Sequence, residues 1–117
     1  MKEEIARLHI RALPNTWNSR LGVRYVGWLY GVVGKLGYIK IVKRENKIIG
    51  VVSGIGKWIL TLAVLPEWQR QGIGKELLRM IPGRRLVYTS GSSVGFYEKM
   101  GFQKIFKLGK MIFLWRK

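Results

Sequence analysis

Gln69-Arg70-Gln71-Gly72-Ile73-Gly74 joins two segments of opposite character. Upstream, Trp58-Ile59-Leu60-Thr61-Leu62-Ala63-Val64-Leu65 is apolar, partly β-branched and stopped by Pro66, the pattern of a buried strand. Downstream, Lys75-Glu76-Leu77-Leu78 opens a helix with Leu77, Leu78 and Ile81 on one face, and Pro82-Gly83 closes it. Glycine at 72 and 74 removes the Cβ atoms that would hold an anion off the backbone, and the first helical turn leaves N–H groups without intrahelical partners. Phosphates bind readily at such a turn. A tight strand-to-helix turn with no ligand would use the same two glycines.

A second motif follows, Ser92-Ser93-Val94-Gly95-Phe96-Tyr97-Glu98-Lys99-Met100-Gly101-Phe102. Together the two stretches resemble the GNAT superfamily of acetyl-CoA-dependent N-acetyltransferases. Gln69, Gly72 and Gly74 fit its coenzyme motif, Gln/Arg-x-x-Gly-x-Gly/Ala, and the second stretch fits its later helix, which ends in Phe-Tyr-x-x-x-Gly-Phe. The resemblance runs from Tyr38 to Lys117. It implies an α+β fold, a mixed and mainly antiparallel sheet flanked by about four helices. Residues 1–117 are expected to form a single GNAT-like acetyltransferase domain.

The resemblance also implies an activity, direct transfer of acetyl from the co-substrate acetyl-CoA to an amine acceptor. In the family the fourth and fifth strands splay apart, and pantetheine lies in the opening like a short added strand. By that resemblance, main-chain groups of Leu62, Ala63 and Val64 pair with it, and the Val64 N–H also stabilises the thioester oxyanion. Main chain at Arg70, Gln71, Gly72, Ile73, Gly74 and Lys75 holds the pyrophosphate. Tyr97 falls on the family's proton donor to the departing thiolate, and a phenol with a pKa of ~10 stays protonated at neutral pH. A tyrosine between Phe96 and Met100 would equally suit a core. Ser90 stands where many relatives carry an asparagine, and its hydroxyl can make part of the same hydrogen bonding.

A carboxylate base is common on the family's fourth or fifth strand, whereas Thr61 and Arg85 occupy that neighbourhood here, with no Asp or Glu. The base is unassigned. His9 could act through water, as an imidazole that titrates near neutrality; the simpler reading places it on the polar side of the first helix. Glu67 and Glu76 flank the phosphate loop and are read as solvated. Trp17, Tyr25 and Trp28 are candidates for an acceptor pocket, although core packing explains Trp28 as well.

Composition sets the outer bounds. A chain of 117 residues has room for one core. It has no cysteine, which excludes a disulfide frame and a thiolate nucleophile and suits a direct transfer in a reducing cytoplasm. One histidine and scattered acids give no metal-ligand spacing, so no metal is expected. The net charge of +16 calls for an acidic partner, of which coenzyme A is one. A basic nucleic-acid-binding module is the alternative of a different class, but no nucleic-acid motif is visible and the aromatics follow packing periodicity. A non-catalytic coenzyme-binding domain is the third. The uncharged run Tyr25 to Gly34 is well short of the ~20 residues that a helix needs to span a bilayer, so no membrane span is expected.

In chain order the pattern predicts a helix over Glu3 to Leu13 with Ile5, Leu8 and Ala12 facing inward, closed by Pro14. A second helix, capped by Asn18 or Ser19, has Leu21, Tyr25, Trp28, Leu29, Val32 and Leu36 on its face. Strands follow at Tyr38–Arg44 and Ile48–Ser53, with a turn at Gly54-Ile55-Gly56, then at Arg84–Thr89, Phe102–Phe106 and Met111–Trp115. A GNAT domain usually begins with a strand, for which this sequence has no room, so either that strand is absent or residues 5–11 are not a helix. In the first case Tyr38–Arg44 is left at the sheet edge, open to a homodimer unless Lys40, Lys43 and Arg44 protect it.

Overall fold

The computed structural model describes residues 2–13, 22–89 and 91–116. Helices α1 (Lys2–Ala12) and α2 (Val23–Leu36) precede β1 (Tyr38–Arg44), β2 (Lys47–Ile55) and β3 (Trp58–Val64). Then come α3 (Ile73–Arg79), β4 (Arg85–Thr89), α4 (Val94–Lys99), β5 (Gln103–Leu108) and β6 (Met111–Arg116). The six strands form one sheet in the order β1-β2-β3-β4-β6-β5. All neighbours are antiparallel except β3 and β4. This is the expected α+β architecture, with four α-helices among the described residues. No strand precedes α1 among those residues, so β1 is an edge.

The sequence of β2 explains the layering. Ile48-Ile49-Gly50-Val51-Val52-Ser53-Gly54 is buried at every position, as a strand covered on both faces must be. α1 and α2 cover one face, and α3 packs on the other through Ile73 and Leu77, against which Gly50 lies. The strand runs on through Ile55, so the turn falls at Gly56-Lys57 rather than at Gly54. Gly91–Ser93 form a 3₁₀ turn, and the α-helical part of the last helix begins only at Val94. Gly101 ends that helix at φ 93°, the left-handed conformation that its position requires.

Two helix faces differ from expectation. Along α2 the buried side chains are Val26 and Tyr30, whereas Trp28 is 62% exposed and Leu36 67% exposed. The helix is apolar around most of its circumference, so periodicity alone does not fix its rotation. What it packs against decides it: Val26 and Tyr30 turn inward, and Tyr30 Oη lies 2.8 Å from His9 Nδ1 on α1. In α1, His9 is buried beside Ile5, Ala6 and Leu8 and is not on a polar side. Four residues after Ile5, it lies on the inward face. α2 starts after Gly22, which offers no capping side chain; Pro14, Trp17, Asn18, Ser19 and Leu21 lie outside the described residues.

Candidate active site

The site begins with a local irregularity in β3. Thr61 pairs with Ser53 and Ile59 with Gly54, so Leu60 has no partner and forms a bulge. β4 pairs with β3 only at Trp58–Leu86 and Ile59–Val87. Beyond the bulge the two strands diverge. The Leu65 N–H donates to Ile49 O at 2.9 Å, and directions alternate along an antiparallel ladder, so Ala63 turns its main-chain groups toward β2. Leu62 and Val64 therefore turn theirs toward the gap. The Val64 carbonyl accepts a bond from the Gln69 side chain at 3.0 Å, which ties the end of β3 to the following loop.

A cleft of about 540 Å³ opens from this gap, lined by Leu62, Ala63, Val64, Gln69, Arg70, Gly72, Ile73, Gly74, Lys75 and Tyr97, together with Ala12, Leu13, Trp68, Ser93 and Phe96. Its size lies within the range of small-molecule sites, roughly 300–1,000 Å³. Two glycines of the loop have separate jobs. Gly72 has φ 82° and open space where a Cβ would stand, so it serves the turn and leaves the loop surface bare. A Cβ at Gly74 would sit 2.9 Å from Phe96 Cζ, so this glycine lets α4 approach α3. Gln71 does not line the cleft; its amide donates to Glu67 O.

A family model for the acetyltransferase (GNAT) domain matches residues 33–104, more than half of the chain. The chain belongs to the GNAT acetyltransferase family. Solved structures with the same GNAT fold include a protein of Pyrococcus horikoshii OT3 at 18% identity and TM-score 0.81, covering 99% of this chain and 89% of that one. The PaiA N-acetyltransferase of Thermoplasma acidophilum, in complex with coenzyme A, aligns at 18% identity and TM-score 0.77, over 99% of this chain and 92% of its own. The ribosomal-protein-S18-alanine N-acetyltransferase of Escherichia coli aligns at 14% identity and TM-score 0.76, over 98% and 86%. At these identities the likeness is one of fold. No match was found among curated protein sequences.

In this GNAT domain the Tyr97 ring is buried between Phe96 and Phe102, with edge-on centroid separations of 5.2 and 5.3 Å. Burial pushes its phenol up to about 12, and the nearby Tyr38 adds to the rise. Tyr97 lines the cleft, and its hydroxyl has no hydrogen-bond partner among the described residues. Ser90 lies outside the described residues.

Charge around the loop is arranged by pairing. Glu67 and Glu76 are not simply solvated. Arg11 holds both carboxylate oxygens of Glu67 at 2.8 and 3.0 Å, and Arg44 holds Glu76 at 2.8 Å. Arg44 is thus bound to α3 instead of guarding the edge of β1. Arg70 and Lys75 remain at the cleft wall. Lys75 also borders a groove of about 500 Å³ that carries Arg79, Lys99 and Arg116 and no acid. Arg85 donates to the carbonyls of Gly56, Ile81 and Pro82 and so braces the strand ends.

On the α1–α2 side of the same bulge lies a second, smaller pocket of about 190 Å³. His9, Tyr30, Ser53 and Thr61 supply its polar groups, and Val26, Leu29, Val33, Leu60 and Tyr88 its apolar ones. His9 Nδ1 and Tyr30 Oη are 2.8 Å apart, and the rings meet edge-on. Burial raises the Tyr30 phenol pKa well above the ordinary value, and the nearby Thr61 and Ser53 offset only part of the rise. Burial also lowers the His9 pKa from 6.5. Tyr25 and Trp28, candidates for an acceptor pocket, line none of the three cavities. The spacing of His9 from Ile5, and of Tyr30 from Val26, was the available signal for the pair that does. Among the described residues no cluster of His or Glu is fit to hold a metal, and no helix is long and apolar enough to cross a membrane.

Proposed function

We propose that the chain acts as one acetyltransferase domain in the cytoplasm, moving acetyl from acetyl-CoA to an amine. The reading rests on the gap beyond Leu60, where the main-chain groups of Leu62 and the N–H of Val64 face the head of a cleft ending in the 70–75 loop, the Val64 carbonyl being held by Gln69. Pantetheine would add to β3 as a short strand. Leu62 and Val64 would bond to it, with the Val64 N–H also facing the thioester oxygen, while Ala63 contributes only to the wall. Main chain at Arg70, Gly72, Ile73, Gly74 and Lys75 would hold the pyrophosphate, with Gln71, which does not line the cleft, bracing the loop through Glu67. The cations of the adjoining groove, Lys75, Arg79, Lys99 and Arg116, would take the third phosphate.

In the reaction a neutral amine attacks the thioester carbonyl, a C–N bond forms and the C–S bond breaks. The nitrogen gives up one proton to water, the departing thiolate takes one from Tyr97, and the phenolate regains one from water, so that no net proton is gained or lost. Burial keeps that phenol in its acid form throughout the physiological range. Self-association along the free edge of β1 belongs to the same reading.

Calorimetry with coenzyme A tests the site. Gly72→Glu would confound the result, because a side chain at φ 82° is strained whether or not a ligand binds. Lys75→Glu is cleaner, since it reverses one exposed charge shared by cleft and groove. Affinity should fall about tenfold or more, as for loss of a charge-assisted bond to phosphate. Equal affinity of the two proteins, or no binding to the native chain, overturns the assignment.

A further inference from the structure

The second pocket contains an unmet buried group. His9 is 4% exposed, its Nδ1 is engaged by Tyr30, and its Nε2 is the one fully buried side-chain nitrogen or oxygen without a partner among the described residues. A buried polar atom left unbonded costs on the order of 1–3 kcal/mol, so an orphan at a pocket wall points to a ligand. Resting on the acetyltransferase reading above, we propose that this pocket is the acceptor site, that His9 Nε2 bonds the acceptor nitrogen, and that the acceptor is a weakly basic amine on a compact apolar body, entering uncharged.

Charge carries the choice of class. All six acids of the chain are glutamates, and none lines either pocket at the bulge. Glu3, Glu67 and Glu76 are paired with Arg7, Arg11 and Arg44, and Glu4 accepts the Ile48 N–H. Glu45 lies in the β1–β2 turn and Glu98 on the exposed side of α4. A polyamine or aminosugar entering as a polycation would meet a +16 protein with no carboxylate to receive it. An uncharged amine meets no such penalty. With Nδ1–H directed at Tyr30 Oη, bare Nε2 accepts an N–H of the amine and leaves the amine's lone pair free for the thioester, whereas an ammonium has no lone pair to react.

The remaining wall suits the body of such a molecule. Leu60 and Tyr88 are 40% and 44% exposed at the opening, beside Val26, Leu29 and Val33. The bulge also brings the pocket to Leu60 and Thr61, next to Leu62 where the coenzyme cleft begins. An amine on Nε2 would therefore lie on the same strand segment as the thioester.

The single histidine makes the test direct, because its imidazole carbon–proton signals belong to one residue. The full chain is titrated at pH 7 with 4-ethylaniline, uncharged at that pH, and with benzylamine and spermidine, both cationic. Saturable movement of the His9 signals by 4-ethylaniline, at an affinity about tenfold or more above that for benzylamine, is expected from placing an unpaired ammonium in this pocket. Thr61→Val and Leu60→Trp, the second filling the opening, should weaken the response while the fold's other signals persist. Absence of movement, or equal response to the cations, overturns the proposal. Coenzyme affinity is measured on the same sample: loss of coenzyme binding with the aniline response intact would strike the acetyltransferase reading, and the reverse would strike the acceptor site alone.

Discussion

Replacing Tyr97 by phenylalanine separates an enzyme from a coenzyme binder. The ring keeps its contacts with Phe96 and Phe102, and the hydroxyl has no protein partner to lose among the described residues. The stability change should therefore stay below the ~1 kcal/mol of an ordinary hydrogen bond. The kinetic effect is larger. Loss of a positioned acid typically costs ~10²–10⁴ in rate, which at about 1.36 kcal/mol per decade is roughly 3–5 kcal/mol of transition-state stabilisation. Free coenzyme A can be followed continuously with a thiol reagent, because the protein has no cysteine to react. Turnover should fall by that factor with coenzyme affinity nearly unchanged. Since burial raises the Tyr97 phenol to about 12, its ionisation should cause no alkaline loss of the native rate below about pH 11. A phenylalanine variant that releases thiol at the native rate would make Tyr97 a packing residue and refute the donor assignment.

Gly74→Val should lower thermal stability by about 1–3 kcal/mol, because its Cβ would meet Phe96 2.9 Å away; an unchanged melting temperature would refute the close approach of α3 and α4. Stability should also depend on pH through His9. Its folded pKa is depressed below 6.5, so between that lowered value and 6.5 the unfolded chain binds more protons, and stability falls as the solution is acidified through this window. Melting curves at pH 7.5 and pH 5.5 should show the loss in the native chain and a smaller one in His9→Gln; equal losses would show that His9 does not cause it. Sedimentation should show mass rising with concentration if the β1 edge self-associates, and a one-chain mass at high concentration would reject that contact.

Local patterns fixed much of this protein in advance. The apolar run to Leu65, the glycines at 72 and 74 and the Phe96-Tyr97…Gly101-Phe102 motif each encode their conformation within a dozen residues, so the strands, the loop and the family were legible. What the sequence left open depends on groups far apart in the chain. The rotation of α2 was hidden by its nearly uniform apolar surface and emerges only in packing, which buries Val26 and Tyr30 and brings Tyr30 to His9 across 21 positions. The state of the acids beside the loop was set by Arg11 reaching Glu67 from 56 residues away. Gly74 carried the right residue type for a phosphate loop, but its closest constraint is a phenylalanine on another helix. Which backbone groups of β3 face the cleft follows from its register with β2, and a shift of one residue would have turned Ala63 outward instead of Leu62 and Val64. Composition showed that carboxylates were few; only packing could place them all away from the pocket where His9 holds its free nitrogen.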